Sequence, residues 1–548
     1  MVRRLATVGS DGTLRPGVKI PEASLPSWLS DAALKAAYAN KAQVTQAQLD
    51  QAQLADQAVG IARVAQTFNN PAGGVSISRV GSDYYLWHGL GSGLFSRYQL
   101  KNYTANAGNL PLRQLAGLDT VRAMIDTDDS AGTKTGTWVA GSNAASVGGA
   151  YVYSVTTGDN ISWTSPAGTT AVGATVVEIT NGAMLLVVEV DGSKTLADRL
   201  DTAQDVVNRG WYPNTILVAN GGTLAPTDRV MDTYSSATAT NNYAARRVLA
   251  ADLTAGTHTV KLTVTGYQRT GLSSQRAYVT GFLHSLPSTK LTDASVAVVT
   301  DTTLNAIASA WEYAYYGLPE GATTKGEMGN IHGWEAEVSL TFTVDGVAST
   351  PADGARVDAV NEIVATRVTQ LRHTELGTTS VADVTTKYIL GRRGLRVDVS
   401  SSWNRRFIPD WMWLMFPVNG PTTNAVGQKF NRAALLDYAG GPLTLTGGNG
   451  DWYGGRSKSV CAWMWSSTGK FGVMAAVPDH TTFLNRWKDA SPAYAQINDR
   501  SGNILKTYFA RIGVSGGDAI EAGTVITSSV RYKVAYFPQG AEAVLANL

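Results

Sequence analysis

Along most of the chain, apolar and polar residues alternate in short runs bounded by Gly, Asn, Asp and Ser. A period of two predicts strands. Between about residues 120 and 286 the runs TGTWVAG, AYVYSVT, TTAVGATVVEIT, AMLLVVEVDG, TILVAN, YAARRVLAADL, HTVKLTVTGYQ and RAYVTGFLHS follow one another. LTAGTHTVKLTVTG puts Val260, Leu262 and Val264 on one face, and VEVDGSKT ends a strand in a tight Asp-Gly turn. TLADRLDTAQDVVNRG is the helical exception in this block. Ahead of it, GGVSISRVGSDYYLWHG reads as two short strands and LPLRQLAGLDT as a connector. SLPSTKLTDAS marks a boundary, after which WEAEVSLTFTVDG, VTTKYILGRRGLRVDVSSSW, PDWMWLMFPV, SVCAWMWSS and SSVRYKVAYFP are again strand-like. DGARVDAVNEIVATRVTQLRH fits strand or helix.

The first 68 residues follow a different period. Residues 1–25 are punctuated by Gly and Pro and read as extended, and SLPSWLSDAALKAAYANKA reads as a short helix capped by Ser30 or Asp31. Val44, Ala47, Gln51, Leu54, Ala58, Ile61, Ala65 and Phe68 then recur at steps of three and four, the seam of a coiled coil. Small residues dominate that seam. Identical copies of the chain wound about a symmetry axis would supply the missing apolar surface, with Gln51 fixing register and copy number. The alternative is one amphipathic helix lying on its own domain, which Gly60 and the scattered alanines allow.

These patterns predict a mainly β protein: short N-terminal helices with a coiled-coil stalk, followed by two or more β-sandwich or jelly-roll domains. The expected divisions are an extended N-terminal segment with a short helix (1–43), a stalk (44–68), a small β connector (69–118), a jelly-roll sandwich (119–288) and a large C-terminal sandwich (289–548).

Composition narrows the partners. The net charge is +2 over 548 residues, only 16% of them charged, and no Lys/Arg-rich run could neutralise a row of phosphates. Nucleic acid is not an expected partner. Cys461 is the sole cysteine, so no intrachain disulfide forms. The N-terminal stretch has no apolar core of an export signal, and no window approaches a membrane span, so folding inside a cell without membrane insertion is expected.

Three resemblances add to this. IPEASLPSWLSDAALKAAYA leading into the Gln/Ala helix and then β-domains resembles minor tail or tail-fibre proteins of long-tailed phages that infect actinobacteria. That likeness implies a virion protein, docked by its N-terminus on other tail proteins and presenting distal domains to host cell-surface polysaccharide, commonly as a trimer. TGTWVAG through LTAGTHTVKLTVTGYQ is similar in strand rhythm to carbohydrate-binding jelly rolls. GLRVDVSSSW and EAGTVITSSVRYKVAYF resemble the large sandwiches of sugar mutarotases and polysaccharide lyases.

Aromatic residues are the main site signal. Half of the 14 Trp fall between residues 403 and 487, and Trp411 with Trp413, like Trp463 with Trp465, stand at i, i+2 on one strand face. Such faces either stack on sugar rings or fill a sandwich core. Trp452 and Tyr453, in the Gly-rich GGNGDWYGG, are the better candidates for exposure. Asp126, Asp128 and Asp129 offer oxygen ligands for Ca²⁺, or form a solvated acidic turn. No other cofactor is expected.

Catalytic signals are weak. Gly513–Gly517 matches a nucleophile elbow in letters only, because no His follows it, and GLGSG at Gly89–Gly93 reads as a turn. His332, Glu335 and Glu337 with Arg393 or Arg396 form the best enzyme constellation, although alternation with Trp334, Ala336 and Val338 describes an ordinary solvated strand. The expected function is therefore non-enzymatic: glycan recognition by a phage tail component. A tail-associated depolymerase and a purely structural tip protein are the alternatives.

Overall fold

The computed structural model describes residues 59–68, 74–91, 93–103, 112–180, 184–234, 241–272, 276–287, 291, 296–305, 311–329, 334–416, 418–419, 430–436, 441–444, 451–453, 461–477, 495–500, 504–512 and 519–548. Among these, antiparallel strands build sheets of eleven, six, seven and ten strands. The mainly β class expected from alternation is what the chain adopts. DGARVDAVNEIVATRVTQLRH resolves into strands Arg356–Ala359 and Glu362–Arg372. The helical exception is shorter than its sequence period, spanning Ala203–Asn208 behind a Thr202 and Asp205 capping box.

The six- and eleven-stranded sheets face each other across one core. Ile161, Leu186, Val188, Val190, Val260, Leu262 and Val264 from the first meet Val152, Val172, Ala174, Val176, Val279 and Phe282 from the second. Trp163 stacks on Phe282 at 5.3 Å between centroids. Alternation therefore placed Val260, Leu262 and Val264 correctly. The Asp-Gly turn also forms: Asp191 and Gly192 have φ of 52° and 75°, and Val190 and Ser193 exchange backbone hydrogen bonds at 2.9 Å.

A second core joins the remaining sheets. Ile77, Leu86 and Tyr98 of the eleven-stranded sheet pack with Tyr388, Val397 and Tyr532 of the ten-stranded sheet, and with Tyr315, Phe407 and Met412 of the seven-stranded one. The expected blocks are not separate sheets. Strand Leu112–Asp128 runs straight through the boundary drawn at residue 118, and Val296–Asn305, from beyond residue 288, pairs with it.

Only the end of the seam is corrected. Val44, Ala47, Gln51, Leu54 and Ala58 lie outside the described residues. The chain is helical through residues 59–67, where Ile61, Val64 and Phe68 are buried in the second core rather than offered to another copy. Phe68 meets Phe537 edge-on at 5.9 Å, and Ala65 packs against the same core. A methyl at Gly60 would stand 2.7 Å from Leu436, so this glycine permits the close approach. A helix lying on a sheet and a coiled coil both need apolar residues at steps of three and four. The period alone does not choose between them.

Lys533 secures this helix by donating to the Ala65 carbonyl at 2.9 Å. Burial first, and then the nearby Arg531 and Arg393, lowers its pKa to about 8. Between that value and the unfolded value near about 10.5, the unfolded chain holds a proton the folded chain has released. Stability therefore rises with pH across this window. Urea midpoints at pH 7.5 and pH 10 should show a gain in the wild type that Lys533→Met lacks.

Candidate functional site

The tryptophans of CAWMWSS are interior. Strand Cys461–Trp465 is buried on both faces, with Trp463 4% and Trp465 0% exposed. Trp463 donates its indole N–H to the Leu545 carbonyl at 3.2 Å, and Trp465 donates to Glu542, both partners on the helix Ala541–Leu545. That helix closes the face a sugar would need. These two side chains pack the core and are no glycan platform.

Trp411 is half-buried on strand Phe407–Phe416 and stacks on Tyr316 at 5.5 Å and 17°, while its neighbour Met412 points into the core. Register carries this outer face across the seven-stranded sheet. Position 413 pairs with Ala510, Tyr508 with Gln496, Lys506 with Asn498, and Asn498 with position 452. Positions 411, 413 and 452 thus share one face, and 453 falls on the other. The side chains of Trp413, Trp452 and Tyr453 lie outside the described ones.

The three aspartates serve separate partners. Asp126 pairs with Arg246 at 2.7 Å and accepts from Thr175 at 3.2 Å. Asp128 caps the turn Asp129–Ala131 by accepting from the Ser130 N–H at 3.0 Å, and Asp129 pairs with Lys134 at 3.0 Å. Their carboxylates do not converge, and among the described residues no group of three His, Cys, Asp or Glu could hold a metal ion.

The enzyme constellation also disperses. His332 and Gly513–Gly517 lie outside the described residues. Glu335, expected on a solvated strand, is fully buried against Tyr313 and Arg367, and Glu337 pairs with Arg113. Arg393 and Arg396 are exposed on and beside a hairpin turn, where Arg396 meets Asp398.

The face best suited to a ligand was missed in the sequence. Strand Ala150–Ser154 turns Val152 and Ser154 inward and Tyr151 and Tyr153 outward. Tyr278, on Ala277–Ser285, sits directly opposite Tyr153 in register, with ring centroids 5.3 Å apart. Tyr151 closes the group, 5.7 Å from both Tyr278 and Tyr243. Arg276 lies over Tyr153 at 4.9 Å and donates to the Tyr278 hydroxyl at 3.3 Å. Beneath this face, Val152, Ala277, Val279 and Ala245 belong to the first sandwich core. The platform is therefore carried on sheet rather than on loop.

Two details show how it is held. Gly141 pairs with Tyr151, and a methyl there would come within 2.3 Å of the phenol ring, so the absent side chain leaves room for the ring to lie across the edge strand Val139–Ser142. Burial, followed by the neighbouring Tyr243, Tyr278 and Tyr153, raises the Tyr151 pKa. Its hydroxyl stays protonated at neutral pH, able to donate and accept. The available signal was AYVYS: tyrosines at i, i+2 around an inward valine, the same spacing that drew attention to the tryptophan pairs.

Neither a protein-family model nor a curated protein matches the chain. Similar solved structures include the CBM36-1 domain of a multidomain xylanase from the hindgut metagenome of Trinervitermes trinervoides, at 12% identity over 30% of this chain and 95% of that one, with a TM-score of 0.17. A galactose mutarotase-like protein from Lactobacillus casei ATCC 334 is 11% identical over 36% of this chain and 84% of that one, TM-score 0.22. A GH36 α-galactosidase from Geobacillus stearothermophilus is 12% identical over 44% of this chain and 33% of that one, TM-score 0.25. Likeness at that level assigns no activity. Function is argued from this chain's own residues.

Proposed function

We propose that this chain is a non-enzymatic phage tail component whose β-sandwiches present surfaces for host cell-surface glycans, with Tyr151, Tyr153, Tyr243 and Tyr278 as the contact. The observation that carries glycan binding is this cluster of half-buried phenols on a rigid sheet. Apolar C–H faces of pyranose rings suit aromatic planes, and sugar hydroxyls suit the phenolic rims. The stacked Tyr316 and Trp411 on the seven-stranded sheet offer a second, smaller surface of the same kind.

The tail assignment is supported by the resemblance of IPEASLPSWLSDAALKAAYA and the Gln/Ala segment after it. With Ile61 and Phe68 turned into the body, a trimer seam would run through Val44, Ala47, Gln51, Leu54 and Ala58. Repetition would then raise weak single-site binding through effective concentration, without new contacts.

Affinity electrophoresis of the full chain through gels holding a panel of soluble polysaccharides tests this. The wild type should be retarded by at least one polymer, and Tyr151→Ala and Tyr278→Ala should each bind about tenfold more weakly, as loss of an anchoring aromatic does. Gly141→Ala should weaken binding with little change in stability, because it displaces only the Tyr151 ring. Retardation by no polymer, or unchanged binding in the tyrosine variants, would remove the site. Reducing ends released from a bound polymer would instead make the protein an enzyme, and sedimentation of the same samples gives the copy number.

A further inference from the structure

Among the described residues the tyrosine face carries one cation, Arg276, and two arginines of the same sheet show how unusual its situation is. Arg246, on strand Asn242–Gly256, pairs with Asp126, and Arg247 beside it pairs with Glu178. Arg276 is exposed and has no carboxylate partner among the described residues; the hydrogen bond and ring contact it makes are to Tyr278 and Tyr153. The sequence flanking this face adds no acid either. Residues 235–240 and 273–275 are Ser, Ala, Thr and Gln only.

The guanidinium is therefore positioned but not neutralised. Lying over Tyr153 and bonded to Tyr278, it loses freedom before any ligand arrives, while most of its planar fork of N–H donors stays available. Such a fork takes two oxygens of an oxyanion at once, with hydrogen bonds stronger than neutral ones. A sugar lying on the adjacent phenols would bring a ring substituent to it.

We propose that the tyrosine face selects an anionic saccharide, its pyranose stacked on Tyr151 and Tyr278 and its oxyanion, carboxylate or phosphate, held by Arg276 where it lies over Tyr153. This rests on the tyrosine face being the glycan site. The bland account is that Arg276 covers Tyr153 and does nothing more.

Titration calorimetry of the full chain with two matched pairs separates these accounts: oligogalacturonate against its methyl ester, and phosphomannan against its dephosphorylated form. Within one pair the anionic member should bind about tenfold tighter, the scale of a charge-assisted contact, and 0.5 M salt should shrink the difference. The pair that shows it identifies carboxylate or phosphate. Arg276→Gln should erase the preference, leaving the two members of the pair equally bound, with an unaltered thermal midpoint because the side chain is exposed; Arg276→Lys should retain part of it.

Equal affinity within both pairs, or a preference that survives Arg276→Gln, overturns the charge selection. If binding in that case still falls in Tyr151→Ala, the face remains a glycan site and only its selectivity is lost. Failure of the wild type to bind any of the four ligands overturns the charge selection, while the glycan reading itself is decided by the polysaccharide panel and the tyrosine variants.

Discussion

Replacing Glu335 with Ala is expected to destabilise the chain by about 3–5 kcal/mol, the cost of leaving a buried charge without its partner. Glu335 and Arg367 are both 0% exposed, 3.8 Å apart, on adjacent strands of the ten-stranded sheet. Tyr313 donates to Glu335 and lies 3.3 Å from Thr369, while Arg367 donates to the Arg113 carbonyl, and to Thr386 at 3.3 Å. Burial, and then the Glu335 charge, holds the Tyr313 hydroxyl in its protonated form as a donor. Removal of the carboxylate strands Arg367 where no water can reach it. Glu335→Gln keeps the shape and an acceptor but not the charge, so it should recover only a small part of the loss. Urea unfolding measures both; a loss below about 1 kcal/mol in Glu335→Ala, typical of exposed ion pairs, would show that the pair is solvated in solution.

Asp252→Ala should cost a similar amount, about 3–5 kcal/mol, for a related reason. This carboxylate joins the two sandwiches. Arg122, only 1% exposed, approaches it at 3.6 Å, Arg199 at 3.5 Å and Lys470 at 2.9 Å, and Tyr536 donates to it. Arg122 and Arg199 come from the first sandwich and its connecting loop, Lys470 and Tyr536 from the strand ends of the ten-stranded sheet. Asp252 itself has φ of 60°, a left-handed conformation that Asn tolerates well. Asp252→Asn therefore keeps the backbone and isolates the charge. It should destabilise nearly as much as Asp252→Ala.

The pH dependence has a definite sign. Burial alone would raise the Asp252 pKa, but the Tyr536 hydroxyl, Arg122 and Lys470 outweigh it and hold the carboxyl below its ordinary range. A depressed carboxylate adds stability above its unfolded pKa of about 3.9, and that contribution is lost as pH falls through the folded value. Wild type and Asp252→Asn should therefore differ most above pH 4 and converge in acid. A constant difference from pH 7 to pH 2 would show that the charge is not what holds this joint.

The named partners of Glu335 and Asp252 include none of the tyrosine-face residues, which bears on how the proposed binding is tested. Tyr151, Tyr153 and Tyr278 stand on the outer side of a sheet whose inner side is packed, so truncating them removes contact surface rather than core. Retained folding with lost binding is the expected signature there. For Glu335 and Asp252 variants, lost binding would follow from lost folding.

Local chemistry was readable along the chain because it depends on neighbours a few residues away. Alternation gave the β class and placed Val260, Leu262 and Val264 inside; Asp191 and Gly192 gave their turn because few residue pairs accept two positive φ values. What alternation cannot say is which of a strand's two faces another layer will cover. CAWMW sets two tryptophans on one face by period without saying whether it is covered, and a helix some eighty residues later in the chain lies over them, at Leu545 and Glu542. The steps of three and four in Ile61, Ala65 and Phe68 define an apolar stripe, but its occupant was Phe537 and the core around it rather than a second copy. Glu335 reads as a surface residue until Tyr313 and Arg367 are placed around it. The sequence by itself determined the periods and the turns; the tertiary structure decided which faces met protein and which met solvent, since that depends on residues brought together only by folding.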